Sequence, residues 1–377
     1  MHIQCTKKLL DQLKRTPETI EEETPLTSWH ANLLTINRRK TLVLVNDKNR
    51  YAIVLHGLKA KDFKNSDKII LLAIRNTFEQ EGIRNDVIDQ YIDSSNIITY
   101  AKTKNRSLVA RMNKACDLVY FYHKLLDPDT IYQLALSREI SRDLVGDGKN
   151  DYFHPHQMLY KDLEVFAGKP VIQTKAVELT ITLRLEKFKI FRKLVVPINL
   201  SFRQLHETIQ AAFDWKNYHL HEFYIFDSNH TNTNEPLSYN HPAYDGEGYK
   251  PILNLVSNEE AFSYGDDDIP MKMDTESKLS DHLPAKVTYV YDFGDDWIHH
   301  IKVDRVIEDF DKNHPICLEG EGKTPPEDVG GEGGYENFVE IIADESHPDH
   351  AHMKRWSGGL RYLDFDINRV NRRLKYL

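Results

Sequence analysis

Two hydrophobic periods succeed one another along the chain, and the switch between them divides it. His2-Ile3-Gln4-Cys5 alternates as a strand does, and Leu9, Leu10 and Leu13 then share one helical face within Lys7 to Leu13. Three apolar runs follow, Ala31 to Ile36, Thr41 to Asn46 and Tyr51 to Leu55. Their separators, Asn37-Arg38-Arg39 and Asp47-Lys48-Asn49, are turn-rich, which predicts an antiparallel meander. The period then lengthens. Ser66 or Asp67 caps a predicted helix to Gln80, with Ile69, Leu72, Ala73 and Phe78 apolar and Gly82 as its stop. Arg106 to Leu126 carries the longest helical pattern and ends at Asp127-Pro128; Thr130 to Val145 predicts another helix.

After Gly168-Lys169-Pro170 the period returns to two. Val177, Leu179, Ile181, Leu183 and Leu185 line one face of a strand, and Ile190 to Ile198 pairs with it. Ser201-Phe202-Arg203-Gln204 has the spacing of a capping box, opening a helix buried through Phe202, Leu205, Ile209 and Phe213. A strand (His219 to Phe226), a polar loop (Asp227 to Asp245), a second polar stretch to Leu283 and a hairpin around Gly294 come next. The expected fold is α+β in two domains. Residues 1–168 form a β-meander with helices; residues 169–377 open with a β-grasp-like hairpin and helix on a mainly antiparallel sheet.

The hairpin concentrates the candidate chemistry. Pairing Lys286 to Asp292 with Trp297 to Val306 sets Asp292 opposite Trp297 and Val290 opposite His299. Asp292 and His299 then become diagonal neighbours on one face, and a one-residue slip would part them. His219 and His221, two apart, point the same way. His219, His221, Asp292 and His299 therefore suit a divalent transition metal, with Asp295, Glu327 and Asp328 as candidate catalytic groups. The plainer reading makes Asp295 and Asp296 turn formers and bonds the histidines locally within the sheet; no HExxH-type signature is present.

The segment Cys317 to Tyr335 is rich in Gly and Pro, and a backbone of this kind can approach a ligand closely. Trp297, Gly330, Gly331 and Tyr335 are the candidate ligand- or partner-contacting residues. A phosphate cradle is disfavoured, because Glu327, Asp328 and Glu332 would repel phosphate and no GK[ST] follows the glycines. The segment fits a cation site, or a rigid turn into a helix from Tyr335 to Ile342. His347-Pro348-Asp349-His350-Ala351-His352 predicts another helix start with Pro348 at the first position. Arg369, Arg372, Arg373 and Lys375 fall in a terminal helix.

Charge sharpens this picture. The chain carries a formal −9 with pI ≈ 6.1, which opposes a dedicated duplex-DNA binder. Residues 266–350 hold 23 acidic and 7 basic side chains. That field favours a divalent cation or a basic protein partner and disfavours nucleic acid through this domain. No apolar run is long enough for a bilayer and no signal-like segment opens the chain, so a cytoplasmic protein is expected. Cys5, Cys116 and Cys317 lack CxxC spacing and read as small buried residues.

The strings Tyr218-His219-Leu220-His221-Glu222-Phe223, Tyr291-Asp292-Phe293-Gly294-Asp295-Asp296-Trp297-Ile298-His299 and Pro325-Pro326-Glu327-Asp328-Val329-Gly330-Gly331 occur in that order, followed by Gly334-Tyr335-Glu336-Asn337-Phe338. Together they resemble the plasmid pRiA4b ORF-3-like family from about Val177 onward. The resemblance implies an α+β fold and a plasmid or mobile-element setting, with no established reaction. Ile3-Gln4-Cys5-Thr6-Lys7-Lys8-Leu9-Leu10 and Asn105-Arg106-Ser107-Leu108, with Met112-Asn113, make the first region resemble a small bacterial domain of unknown function. Two functions follow as expectations: a binding or accessory module tied to plasmids or transposable elements, or a metal-dependent hydrolase acting on a phosphoester or amide.

Overall fold

The computed structural model describes residues 1–19, 24–94, 97–146, 148, 151–226, 251–263, 269–359 and 362–377. The chain divides into two compact units, Met1–Gln173 and Thr174–Leu377.

The first unit runs β1 (His2–Cys5), α1 (Lys7–Leu13), β2 (Ser28–Ile36), β3 (Arg39–Asn46), β4 (Ala52–Leu58), α2 (Ala60–Lys64), α3 (Ser66–Gln80), α4 (Asn85–Asp93), β5 (Thr99–Lys102), α5 (Arg106–Phe121), α6 (Leu134–Arg142), β6 (Val145–Gly146), β7 (Tyr152–Phe153) and α7 (Pro155–Ala167). The meander is present as β2–β3–β4, and β1 inserts parallel to both β2 and β5, giving the order β4-β3-β2-β1-β5. Both faces of this sheet are covered. Trp29, Ala31 and Leu33 of β2 point into one core with α3 and α4, while Leu34 and Ile36 pack with Met112, Cys116 and Val119 of α5 on the other side. Strands buried on two faces lose clean alternation. Short β5, and helices α4 and α7, are elements that the hydrophobic pattern did not announce.

The second unit contains β8 (Thr174–Leu183), β9 (Ile190–Pro197), α8 (Phe202–Phe213), β10 (His221–Phe226), β11 (Pro251–Val256), β12 (Met271–Met273), α9 (Leu279–His282), β13 (Lys286–Tyr291), β14 (Trp297–Phe310), β15 (Ile316–Glu321), α10 (Gly331–Ala343), α11 (His350–Gly359) and α12 (Ile367–Leu374). Its sheet, β12-β11-β10-β13-β14-β8-β9-β15, is antiparallel apart from the β11/β12 pair. Val177, Leu179, Ile181 and Leu183 are all buried beneath α8 and its neighbours, each such side chain contributing about 1.5–3 kcal/mol. The capping box forms as the sequence requires: Ser201 accepts from the Gln204 N–H, and the Gln204 side chain returns to the Ser201 N–H.

Several expectations need correction. Strands β11 and β12 lie within the second polar stretch, up to Leu283, and the polar loop Asp227 to Asp245 lies outside the described residues. His219 precedes β10 and belongs to the connection from α8. Helix α11 starts at His350, leaving Pro348 ahead of it. The hairpin register is Tyr291 opposite Trp297, Val290 opposite Ile298 and Tyr289 opposite His299, one residue away from the expected pairing. Residues directly opposite share a face, and Trp297 faces the core. Its partner must therefore be apolar, because a carboxylate in that position would be buried without compensation. Asp292 becomes the first residue of the turn, at φ +57°.

Candidate functional site

The connection Asp214–Leu220 is anchored almost residue by residue. Asp214 closes α8 in the left-handed region and holds Arg369 at 3.0 Å, with Arg373 on its other oxygen. Trp215 Nε1 donates to Pro325 O (3.0 Å), and the Lys216 N–H donates to Glu327 Oε1 (2.7 Å). The Asn217 N–H donates to Gln210 Oε1 (2.8 Å) and the Tyr218 N–H to the Tyr291 hydroxyl (3.0 Å). His219 is thereby delivered to the hairpin turn.

There its Nε2 lies 3.0 Å from Asp328 Oδ1 and 3.4 Å from Asp292 Oδ2. This nitrogen is buried and has no aligned hydrogen bond to either carboxylate. One ligand atom from each of His219, Asp292 and Asp328 falls within 4.8 Å of the others. Atoms around one ion at about 2.1 Å stand roughly 3.0–3.4 Å apart in octahedral or tetrahedral arrangements, and both His219–carboxylate distances fall in that range.

Two chain segments shape this site by docking on one another. Asp292 Oδ1 accepts the N–H groups of Gly294 (3.0 Å) and Asp295 (3.4 Å), closing the turn. Asp295 Oδ2 in turn accepts the Gly330 N–H (3.1 Å) at the start of α10. The positive end of that helix thus already carries a carboxylate, which bears on its unsuitability for phosphate. Asp292, Asp296 and Asp328 all adopt positive φ, which aspartate tolerates better than most residues. A Cβ on Gly334 would stand 2.0 Å from Val329 O, so the turn closes only around a residue without a side chain. Upstream, buried Arg192 donates to the carbonyls of Ala212, Phe191, Glu321 and Gly322 and to Thr324 Oγ1, fixing the entry to this segment.

Glu327 is buried beside the triad and accepts from the Tyr291 hydroxyl at 3.0 and 3.1 Å. Burial raises its carboxyl above the usual range, partly offset by the Lys216 N–H. Burial and Glu327 together raise the Tyr291 phenol.

His221 and His299 stand apart from the triad. His221 Nε2 donates to Asp274 (2.8 Å), which also binds Arg203, and its ring stacks on His206 at 3.4 Å. His206 bonds the Tyr289 hydroxyl through Nδ1 (2.8 Å) and Asn217 Oδ1 through Nε2 (2.9 Å). His299 packs edge-on against Phe213 and Trp215, with Nδ1 donating to Trp297 O (3.1 Å). Burial brings both His206 and His299 down to about 3. Trp297 lies in the same core, and Tyr335 packs on Phe188 and donates to Lys323 O. His206, Gln210 and Tyr289 form a buried network closed at the surface by Asn217, with buried Asp274 joined to it through His221, and no motif flagged these five. The available signal was the polar His206 and Gln210 directly beside the apolar stripe of α8.

A cleft of ≈ 450 Å³ adjoins the turn, its lining including Leu220, Glu222, Tyr224, Asn254, Met271 and Phe293. Leu220 and Phe293 are the immediate neighbours of His219 and Asp292. Elsewhere, the terminal cations Arg369 and Arg373 are engaged by Asp214, and Cys5, Cys116 and Cys317 are free and buried. No described helix is long and apolar enough to cross a membrane.

An α+β protein of two units, the second a largely antiparallel sheet whose Asp-rich turn docks on a Gly-rich helix start, is the class these features define. The chain belongs to the plasmid pRiA4b ORF-3-like family, whose profile matches residues 175–374. Residues 2–158 match the Domain of unknown function (DUF6933). An uncharacterized protein of Sinorhizobium fredii, y4hQ, is 34% identical over 187 residues, covering 49% of this chain and 82% of the relative. A crystal structure of a protein of unknown function from Methanosarcina mazei shares 26% identity, covers 52% of this chain and 96% of that one, and superposes with a TM-score of 0.40.

Proposed function

We propose that the C-terminal unit is a cation-dependent binding module serving plasmids or transposable elements, in which His219, Asp292 and Asp328 hold one divalent ion. The carrying observation is the buried His219 Nε2, set between two carboxylates at ligand spacing without an aligned hydrogen bond. The ion would tie the α8–β10 connection, the hairpin turn and the Gly-rich segment together beside the cleft. The acidity of the unit favours a basic protein segment as the partner. The hairpin β8–β9 followed by α8 supports a β-grasp-like reading of its opening.

Elemental analysis of tag-free protein, with calorimetric titration of Mn²⁺ and Zn²⁺, tests this. About one ion per chain is expected, lost on Asp292→Asn with Asp328→Asn and retained on His299→Ala. A wild-type protein that neither contains nor takes up either metal reduces the triad to a histidine beside two carboxylates.

One observation favours a hydrolase as the second reading. Glu327, a carboxyl raised by burial, lies next to Asp328 and is suited to moving a proton at an ion-bound water. Here Asp295 is a helix cap, so Glu327 carries the acid–base role. Turnover of phosphoester or amide substrates by the loaded protein, reduced about a hundredfold or more by Glu327→Gln with metal content unchanged, would establish it. A loaded protein inactive across both classes leaves the binding reading.

A further inference from the structure

The first unit carries a surface of opposite character. β1 and β5 run parallel with Cys5 beside Lys102, so the segments that leave their C-terminal ends emerge together. Lys7 and Lys8 open α1 there, and Lys102, Lys104 and Arg106 lead into α5; all five are exposed. The two motifs therefore leave the sheet at the same end, α1 packing on one face and α5 on the other. The cations continue along α5, where Met112, Cys116 and Val119 are buried and the opposite face presents Arg106, Lys114, Asp117, Tyr120 and Phe121. Lys124 follows just beyond the helix. Arg106 to Phe121 spans roughly 24 Å at 1.5 Å per residue.

None of Lys7, Lys8, Lys102, Lys104, Arg106, Lys114 and Lys124 makes an ion pair with a described residue, and Asp117 is the one carboxylate among residues 102–124. At the far end Phe121 is 75% exposed and Tyr120 48%, two ring faces turned to solvent beside positive charge.

We infer that this ridge binds single-stranded nucleic acid, the cations taking phosphates and Phe121 and Tyr120 stacking on bases. Cations that follow the backbone and aromatic rings that take unpaired bases are the two elements of single-strand recognition. A duplex keeps its bases stacked and would leave the rings unused. An acidic membrane surface is the poorer fit, because the apolar face of α5 is committed to the core and two rings at one end provide little to insert. This inference is independent of the cation site.

The test is fluorescence anisotropy of the full chain with a labelled oligothymidylate of about 20 nucleotides at about 50 mM salt, beside a duplex of equal length and phosphatidylserine vesicles. Binding to the single strand is expected to exceed that to the duplex and to weaken steeply with salt. Lys102→Glu/Lys104→Glu/Arg106→Glu should reduce affinity at least roughly tenfold and flatten the salt dependence. Phe121→Ala should cost roughly tenfold with the salt dependence unchanged. All these positions are exposed, and circular dichroism checks that the variants stay folded. No binding at low salt, affinity untouched by the triple reversal, or preference for the duplex or the vesicles overturns the inference.

Discussion

Glu81 of the first unit is a carboxylate buried charged, whereas His206 and His299 of the second are buried imidazoles kept neutral. Glu81, 1% exposed, receives Arg142 at 2.8 and 2.9 Å and the hydroxyls of Tyr51 and Tyr160. Burial alone would raise its carboxyl, but Arg142 more than reverses this and brings it to about 2. His206 and His299 have no cation or carboxylate bonded to them, and desolvation discharges them. The same obstacle, an ionisable group out of water, is met by compensation at Glu81 and by neutralisation at His206 and His299. Unequal responses to acid follow.

The largest effect expected is on the second unit. A histidine whose folded pKa lies below its unfolded value near 6.5 stabilises the fold above that pH. The contribution is lost as pH falls toward the folded value. His206 and His299, both at about 3, each contribute on the order of 4 kcal/mol in this way. Glu81 acts in a lower window: its stabilisation is complete above about pH 4.5 and is lost as pH falls toward 2. Hydrogen exchange resolved by peptide between pH 7 and 3 should show the C-terminal unit opening first. Simultaneous opening, or the reverse order, breaks the comparison.

Arg142→Leu probes the compensated side. It leaves Glu81 buried without its cation, and about 3–5 kcal/mol should be lost from the first unit alone, read as a lower unfolding midpoint in denaturant. A change below 1 kcal/mol would mean that the tyrosine hydroxyls suffice.

Tyr289→Phe is the mildest test. It removes the hydroxyl shared by His206 and Gln210, and about 1–3 kcal/mol should be lost from the second unit. His206 should titrate closer to its ordinary value if the opened space admits water, which NMR of the ring protons would report.

What could be read from the chain depended on whether a signal was local. The capping box at Ser201, the stripe Val177–Leu183 and the meander needed only neighbouring residues, and they form. The hairpin register depends on which side of Trp297 faces the core, a tertiary fact, so alternation alone extends the strand to Asp292, whereas Asp292 opens the turn. For the site, His219, Asp292 and Asp328 were all candidates, yet their grouping was hidden because Asp328 arrives from a segment more than thirty residues downstream of the turn. His221 carried the same apparent credentials as His219. Only the position of Asp274, on a loop with no recognisable motif, separates the two. The short strands β11 and β12 were obscured by the polar sequence around them.

The anchored connection from Asp214 to Leu220 also has a mechanical meaning. It behaves as a taut cable running over fixed pulleys, with Arg369 and Arg373 of the terminal helix at one end and His219 at the other. Gln210, Pro325, Glu327 and Tyr291 are the bearings between. Slack introduced at any of them should appear as play at the His219 imidazole, so α12, which contributes nothing to the triad itself, sets the tension under which that ring is held.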